Sequence, residues 1–355
     1  MLDAIGSASA DDSDGPVKAS DPVAGWAARV EAGELRLVAR AISWIENGDD
    51  RGAALLRHLF TRGGRAWVIG LTGVPGAGKS TVIPSLARHF GKAGKVAVLA
   101  VDPSSPVSGG AILGDRLRGA DDAGHDVFFR SLGSRGGAGG LSRCVIDVID
   151  LLDAAGYGTI LIETVGAGQS EVAVSDLAHT VLVLSAPGLG DEVQAMKAGI
   201  LEVGAVHAIN KADRPGADDA ARTLRLALQL AVRHHGLQEG LNEDAEGALQ
   251  WLPPVLAVSA LAQTGLDALV AALEAHRDYL QRSGGFARVG TGRNLQRLRD
   301  HARDFVLAGF WKRAEQDGWW QEAADLVSRR VLDPISAADA LVGRAFPGAS
   351  REERP

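Results

Sequence analysis

The residues with the plainest chemical purpose form the run Gly73-Val74-Pro75-Gly76-Ala77-Gly78-Lys79-Ser80-Thr81, which fits the phosphate-binding pattern GxxxxGK[ST]. Glycines at 73, 76 and 78 let successive main-chain N–H groups curl around phosphate oxygens, and a helix beginning at the lysine adds positive potential. Lys79 is expected to reach the β and γ phosphates, and Ser80 to offer its hydroxyl to Mg2+, a hard cation that prefers oxygen ligands. The base is specified further along, at Asn210-Lys211-Ala212-Asp213, which matches NKxD. A carboxylate in the base plane accepts from both guanine N1–H and the exocyclic amine, a donor pair that adenine lacks on that edge. Asp213 therefore selects GTP and GDP, with Asn210 bracing neighbouring loops and Lys211 lying along the base. Ser259 and Ala260 follow another apolar run and suit a backbone N–H contact to guanine O6. Asp102, Asp115 and Glu163 are the acidic candidates for holding Mg2+ and, with Lys79, for supporting catalysis.

These residues need strands that end in one crevice. Trp67–Leu71 reads as a short buried strand and Val82–Phe90 as a helix, so the glycines fall where strand turns into helix. Further apolar runs at 96–101, 159–162, 181–184, 206–209 and 255–258 alternate with helical segments. The expected fold is α/β, a P-loop NTPase with a mostly parallel sheet flanked by helices, plus helical extensions at both ends. Its nucleotide site belongs at the carboxyl ends of the strands. The expected division is a disordered tail over 1–22, an N-terminal helical extension over 23–64, the GTPase domain over 65–282 and a C-terminal helical extension over 283–355. Trp26 and Val30, then Val38, Ile42 and Ile45, recur at helical spacing, with Gly48-Asp49-Asp50 as a break. Leu295, Leu298, Ala302 and Phe305 form one helical face, and Ser336 with Asp339 suits the cap of a last helix.

Composition narrows the partners. The 355 residues carry 37 Lys and Arg against 44 Asp and Glu, and a formal net charge of −7 disfavours nucleic acid or an anionic membrane as the main ligand. No apolar run approaches the roughly 18 residues that span a bilayer. Cys144 is the single cysteine, so no internal disulfide exists, and the acidic first 22 residues are unlike an organelle transit peptide. A cytoplasmic protein is expected. His234 and His235 are adjacent on a predicted helix or its end and point apart, which argues against a metal site other than magnesium.

From Trp26 to Val342 the chain resembles the MeaB/ArgK group of P-loop GTPases, accessory proteins of adenosylcobalamin-dependent acyl-CoA mutases. The matching segments are Gly73–Thr81, Val101–Pro106 with Ser108-Gly109-Gly110, Ile112–Asp115, Ser134-Arg135-Gly136, Glu163–Glu171 and Asn210–Asp213. The resemblance implies a homodimeric chaperone, dimerised through its C-terminal helical extension, that binds a mutase and gates cofactor loading and release of inactivated cofactor by binding and hydrolysing GTP. It also implies a coupling segment at Pro187–Lys197, with Asp191, Gln194 and Lys197 as working residues. The chain departs from the group at Leu189 and Val193, where many members read PGAGDELQ, and at Leu117-Arg118-Gly119, where many read GDKTRM. Such variation resembles branches serving other mutases, of the isobutyryl-CoA or 2-hydroxyisobutyryl-CoA type. Gly166 is followed by Ala167 rather than a water-orienting Gln, so slow intrinsic hydrolysis is expected and Gln169 is not assigned a catalytic role. No Asp-x-His-x-x-Gly corrinoid-ligand sequence occurs, which points to a helper rather than a mutase. The alternatives are a P-loop kinase passing the γ-phosphate to a small molecule or protein, and a metal-insertion GTPase.

Overall fold

The computed structural model describes residues 22–102, 127–133, 140–164, 170–188, 203–231, 240–243 and 249–346. Asp115, Asp191, Gln194, Lys197, Gln169, His234 and His235 lie outside them, as do residues 1–21 and the matching segments at 103–115 and 134–136. The chain divides into two compact units, Met1–Gly290 and Thr291–Pro355.

The first unit is built on a seven-stranded parallel sheet. Its strands are β1 (Trp67–Gly73), β2 (Val96–Asp102), β3 (Val127–Gly133), β4 (Thr159–Thr164), β5 (Thr180–Ser185), β6 (Val206–Ile209) and β9 (Val255–Ala257), in the order β3-β2-β4-β1-β5-β6-β9. Each of β1, β5 and β6 is buried along its whole length, as continuous apolar runs covered on both faces require. One face packs the N-terminal helices α1 (Pro22–Glu31), α2 (Leu35–Glu46) and α3 (Asp50–Leu59) together with α5 (Gly140–Ala154), α6 (Ser170–Leu177) and α7 (Ala217–Ala231). The other packs α4 (Lys79–Gly91) and α8 (Leu266–Arg282).

All six strands expected from the apolar runs are present, and the helix expected over Val82–Phe90 is α4. Strand β3 was not legible, because an edge strand reading Val-Phe-Phe-Arg-Ser-Leu-Gly buries only Phe128 and Leu132 and has no continuous apolar run. The short antiparallel hairpin β7 (Gly240–Glu243) and β8 (Leu249–Leu252) was missed for a similar reason. Arg130, midway along β3, is tied to α2 through Glu46 and, at 3.0 Å, Ser43 Oγ, so the N-terminal helices hold this sheet edge. The expected break at Gly48-Asp49-Asp50 is the start of α3, where the Asp49 carboxylate accepts from the Arg51 N–H at 2.9 Å.

At the end of the sheet opposite the carboxyl termini, Trp67 Nε1–H donates to Thr180 Oγ1 at 2.9 Å, and Thr180 Oγ1 lies 3.0 Å from His276 Nδ1. Indole nitrogen only donates, so Thr180 Oγ1 accepts from Trp67, and its remaining lone pair and its proton leave it able to accept from or donate to His276 Nδ1 according to the imidazole tautomer. Burial disfavours the charged imidazole and lowers the His276 pKa to about 4.

The second unit is helical, with most of α9 (Gly285–Gln316), then α10 (Trp319–Ser328) and α11 (Pro334–Ala345). The spacing of Leu295, Leu298, Ala302 and Phe305 does lie on one helix, but the leucines are 51% and 64% exposed and Phe305 83% exposed, so this face is not a core. The cap of helix α11 lies three residues before the expected one. Asp333 accepts from the N–H groups of Ile335 and Ser336, both at 3.0 Å, and Pro334 occupies the first helical position, where its missing N–H costs nothing.

Candidate nucleotide site

The loop between β1 and α4 has its geometry fixed by close approach of backbone. Gly73 has φ +135°, and a Cβ there would lie 2.0 Å from the Leu184 carbonyl oxygen, so β1 and β5 can pair this closely only if residue 73 is glycine. Gly78, at φ +90°, precedes α4 and gives that helix no side-chain cap. The Thr81 and Val82 N–H groups bond Gly78 O at 3.0 and 3.1 Å, and the N-terminus of α4 directs its positive potential toward the loop, a setting that favours an anionic ligand.

Three side chains hold the loop's carbonyls. Lys79 Nζ donates to Gly73 O at 2.6 Å, Asn210 Nδ2 to Ala77 O at 2.8 Å and Lys211 Nζ to Gly76 O at 2.7 Å. Two of the three come from the Asn210–Asp213 element after β6, so the element expected to read the base also braces the element expected to hold phosphate. Lys211 takes φ +60°, and its ammonium reaches back over the loop. Val74, Pro75 and Gly76 line the turn, with Pro75 and Gly76 exposed and Ala77 buried beneath it.

The same element is fastened to the turn after β9. Asn210 Oδ1 accepts from the Ala260 N–H at 3.2 Å, and Ser259 Oγ donates to Asp213 Oδ1 at 2.5 Å while accepting from the Ala262 N–H at 3.0 Å. The Ser259 hydrogen bond, with smaller contributions from the backbone and from the charges of Arg214 and Lys211, holds the Asp213 carboxyl below its usual pKa. A carboxylate that favours its ionised form is thus oriented by Ser259 at the carboxyl edge of the sheet. Gln263, which sequence reasoning missed, takes φ +56° and donates Nε2–H to Ala260 O at 2.5 Å and to Ser85 Oγ of α4 at 3.2 Å. No spacing rule flags such a residue, because its role depends on a turn and a helix 178 positions apart.

Glu163 is 6% exposed and sits one residue from the end of β4, paired in register with Leu71 of β1. Asp102 is the last residue of β2, opposite Gly133. Both positions are at the carboxyl edge of the sheet, on the two strands next to β1 on one side. Asp115 lies outside the described residues, so the acidic set is placed in part.

A parallel sheet with a GxxxxGK[ST] loop after its central strand, an uncapped helix behind it and an NKxD element wired to that loop defines a P-loop nucleotide-binding protein. The sequence profile of the family described as methylmalonyl Co-A mutase-associated GTPase MeaB matches residues 38–315, and the chain belongs to that family. The Escherichia coli protein GTPase ArgK is 33% identical over 312 residues, covering 86% of this chain and 91% of its own length. A Caenorhabditis briggsae protein named methylmalonic aciduria type A homolog, mitochondrial, is 30% identical over 247 residues, 69% of this chain and 58% of its own. Among solved structures, one titled LAO/AO transport system kinase superposes with TM-score 0.63 at 26% identity, covering 93% of this chain and 99% of its own. The chain is a GTPase, binding guanine nucleotide and hydrolysing GTP to GDP and phosphate. Among the described residues no helix is long and apolar enough to cross a membrane.

Proposed function

We propose that this GTPase is the chaperone of an adenosylcobalamin-dependent acyl-CoA mutase, in which GTP binding and hydrolysis gate cofactor loading and the release of inactivated cofactor. The observation that carries the nucleotide part is the pair of hydrogen bonds from Asn210 and Lys211 to the carbonyls of Ala77 and Gly76, which couples base recognition to the phosphate loop. The mutase part is supported by the family's description and by the name of the Caenorhabditis briggsae relative. The exposed Leu295, Leu298 and Phe305 support a homodimer formed through the C-terminal helices, since apolar faces of this kind mark association surfaces. A cytoplasmic location fits the acidic composition.

In this reading Gly73–Thr81 wrap the phosphates and Lys79 exchanges Gly73 O for the β and γ phosphate oxygens, where it offsets charge developing as water attacks the γ-phosphorus. Asp213 reads guanine N1–H and the exocyclic amine, and Ala260 shares its N–H between Asn210 Oδ1 and guanine O6. The remaining donor set is oxygen only, the hydroxyl of Ser80 with the carboxylates of Asp102, Asp115 and Glu163, and such a set fits Mg2+ and not a softer metal. Magnesium, when bound, would neutralise charge on the β and γ phosphates. Asp191, Gln194 and Lys197 would transmit the mutase's presence to this site.

Base reading is tested by Asp213→Asn. An amide offers one acceptor and one donor, which suits xanthine, where a carbonyl replaces the guanine amine. Losing the charge-assisted pair should weaken GDP binding about tenfold to a hundredfold while XDP binding improves. An unchanged preference for GDP would remove Asp213 from the base site. Partner choice is tested by sizing the protein with candidate mutases in GTP analogue and in GDP; a complex that is nucleotide-dependent supports the reading, and no complex with any mutase rejects it.

A further inference from the structure

Asp102 closes β2, and the pairing of that strand changes at this residue. The register between β2 and β4 runs from Val96↔Thr159 to Val101↔Thr164 and stops, whereas that between β2 and β3 runs from Val96↔Val127 on to Asp102↔Gly133. Within the sheet, residue 102 is thus placed against β3 alone. Strand β3 is itself an edge, with β2 on one side and no strand among the described residues on the other. On its face toward the N-terminal helices, Phe128 and Leu132 are buried on either side of Arg130. Apolar burial is non-directional and sets no register. The directional link is Arg130, whose Nη2 donates to the Glu46 carboxylate and, at 3.0 Å, to Ser43 Oγ, both in the last turn of α2; the Ser43 hydroxyl donates in turn to Ala39 O at 3.3 Å. The Arg130 and Glu46 side chains are 28% and 10% exposed, so salt screens this pair less than a surface ion pair.

We propose that Arg130 is a positioning residue of the GTPase reaction: by holding β3 to the last turn of α2, it sets the place of Asp102 in the Mg2+ site. The inference rests on the reading of Asp102 as a Mg2+ ligand. Placement matters because Mg2+ demands nearly octahedral oxygens at about 2.1 Å and tolerates a displaced ligand poorly. The charge of Arg130 acts in the opposite sense. A guanidinium near a cation site opposes Mg2+, so removing it would tighten Mg2+ binding if charge alone counted. Position and charge therefore predict changes of opposite sign.

Mg2+ titrated calorimetrically into the GDP complex of the full-length protein, after chelation of residual metal, separates the two. Arg130→Met should weaken Mg2+ about tenfold, the scale of a lost contact behind a metal ligand, while GDP affinity in EDTA stays within about twofold. Amide exchange at residues 101–102 and 132–133 should quicken in the same variant, a readout independent of the metal. Arg130→Lys should recover most of the loss, since both bonds leave from one nitrogen that an ammonium can replace. Glu46→Gln, which keeps an acceptor, should weaken Mg2+ less than Arg130→Met and have little further effect in it. Unchanged or tighter Mg2+ binding in a folded Arg130→Met overturns the proposal; where that variant does not fold, unchanged Mg2+ binding in Glu46→Gln does so. Failure of the underlying reading is distinguishable, because it appears instead as unchanged Mg2+ affinity in Asp102→Asn.

Discussion

Asn210→Ala removes a side chain that joins three loops, and the structure sets the cost. Asn210 is 3% exposed, donating to Ala77 O at 2.8 Å and accepting from Ala260 N–H at 3.2 Å; Ala77 is 0% exposed and Ala260 5%. Truncation leaves a buried carbonyl and a buried N–H without these partners, each costing about 1–3 kcal/mol, so unfolding of the nucleotide-free protein should be easier by about 2–5 kcal/mol. Urea denaturation followed by tryptophan fluorescence measures this as a fall in midpoint at constant slope. Gly78→Ala sharpens the test. Its Cβ would lie 2.4 Å from Asn210 Nδ2 on a backbone of φ +90°, so the single variant suffers a clash as well as about 1–2 kcal/mol of conformational strain. Once Asn210 is alanine the clash partner is gone and only the strain remains. The double variant should therefore be more stable than the sum of the singles implies, by about 1 kcal/mol or more. Strictly additive losses, or an Asn210→Ala effect below about 0.5 kcal/mol, would refute the wiring described for this site.

Thr180→Val deprives both Trp67 Nε1–H and His276 Nδ1 of a buried partner, and a loss of about 2–5 kcal/mol is expected by the same denaturation assay. Burial holds His207 and His276 neutral, each with a pKa of about 4 against an ordinary 6.5. The unfolded chain binds their protons first, so stability is whole above about pH 6.5 and falls as pH drops toward 4, by about 3 kcal/mol for each histidine; His276→Gln should flatten the pH profile of the urea midpoint over that window. Asp333→Ala should cost about 1 kcal/mol of the second unit's stability by removing the cap of α11, measurable as reduced amide-exchange protection across 334–345. Lys79→Ala should abolish GTP hydrolysis, since the phosphate-bridging charge has no substitute in the loop.

The central sheet was readable because β1, β5 and β6 are buried on both faces and so must be apolar throughout. Edge strand β3 buries every other residue at most and carries Arg130 for α2, so it gave no such run. The phosphate loop and Asn210–Asp213 were readable because their chemistry demands fixed residue types at fixed spacing. What those donors grip was not: that Lys211 bonds Gly76, or that Gln263 reaches Ser85, depends on tertiary approach that spacing does not encode. The cap of α11 shows a different failure. Asp333-Pro334 was the stronger helix-start signal, with the proline supplying the first helical position, but Ser336 and Asp339 fit the capping spacing and drew the boundary inward. Leu295, Leu298 and Phe305 announced a helix correctly, while periodicity alone could not say whether their face meets this chain or another molecule.

Phosphate release from GTP by the purified protein, alone and with each adenosylcobalamin-dependent acyl-CoA mutase of the same organism, tests the central claim most directly. Slow turnover alone and clear acceleration by one mutase are predicted, with that acceleration lost in Lys197→Ala while basal turnover persists. Turnover unaffected by every mutase, with the γ-phosphate passing to an added small-molecule acceptor instead of water, would contradict the chaperone account and favour a kinase.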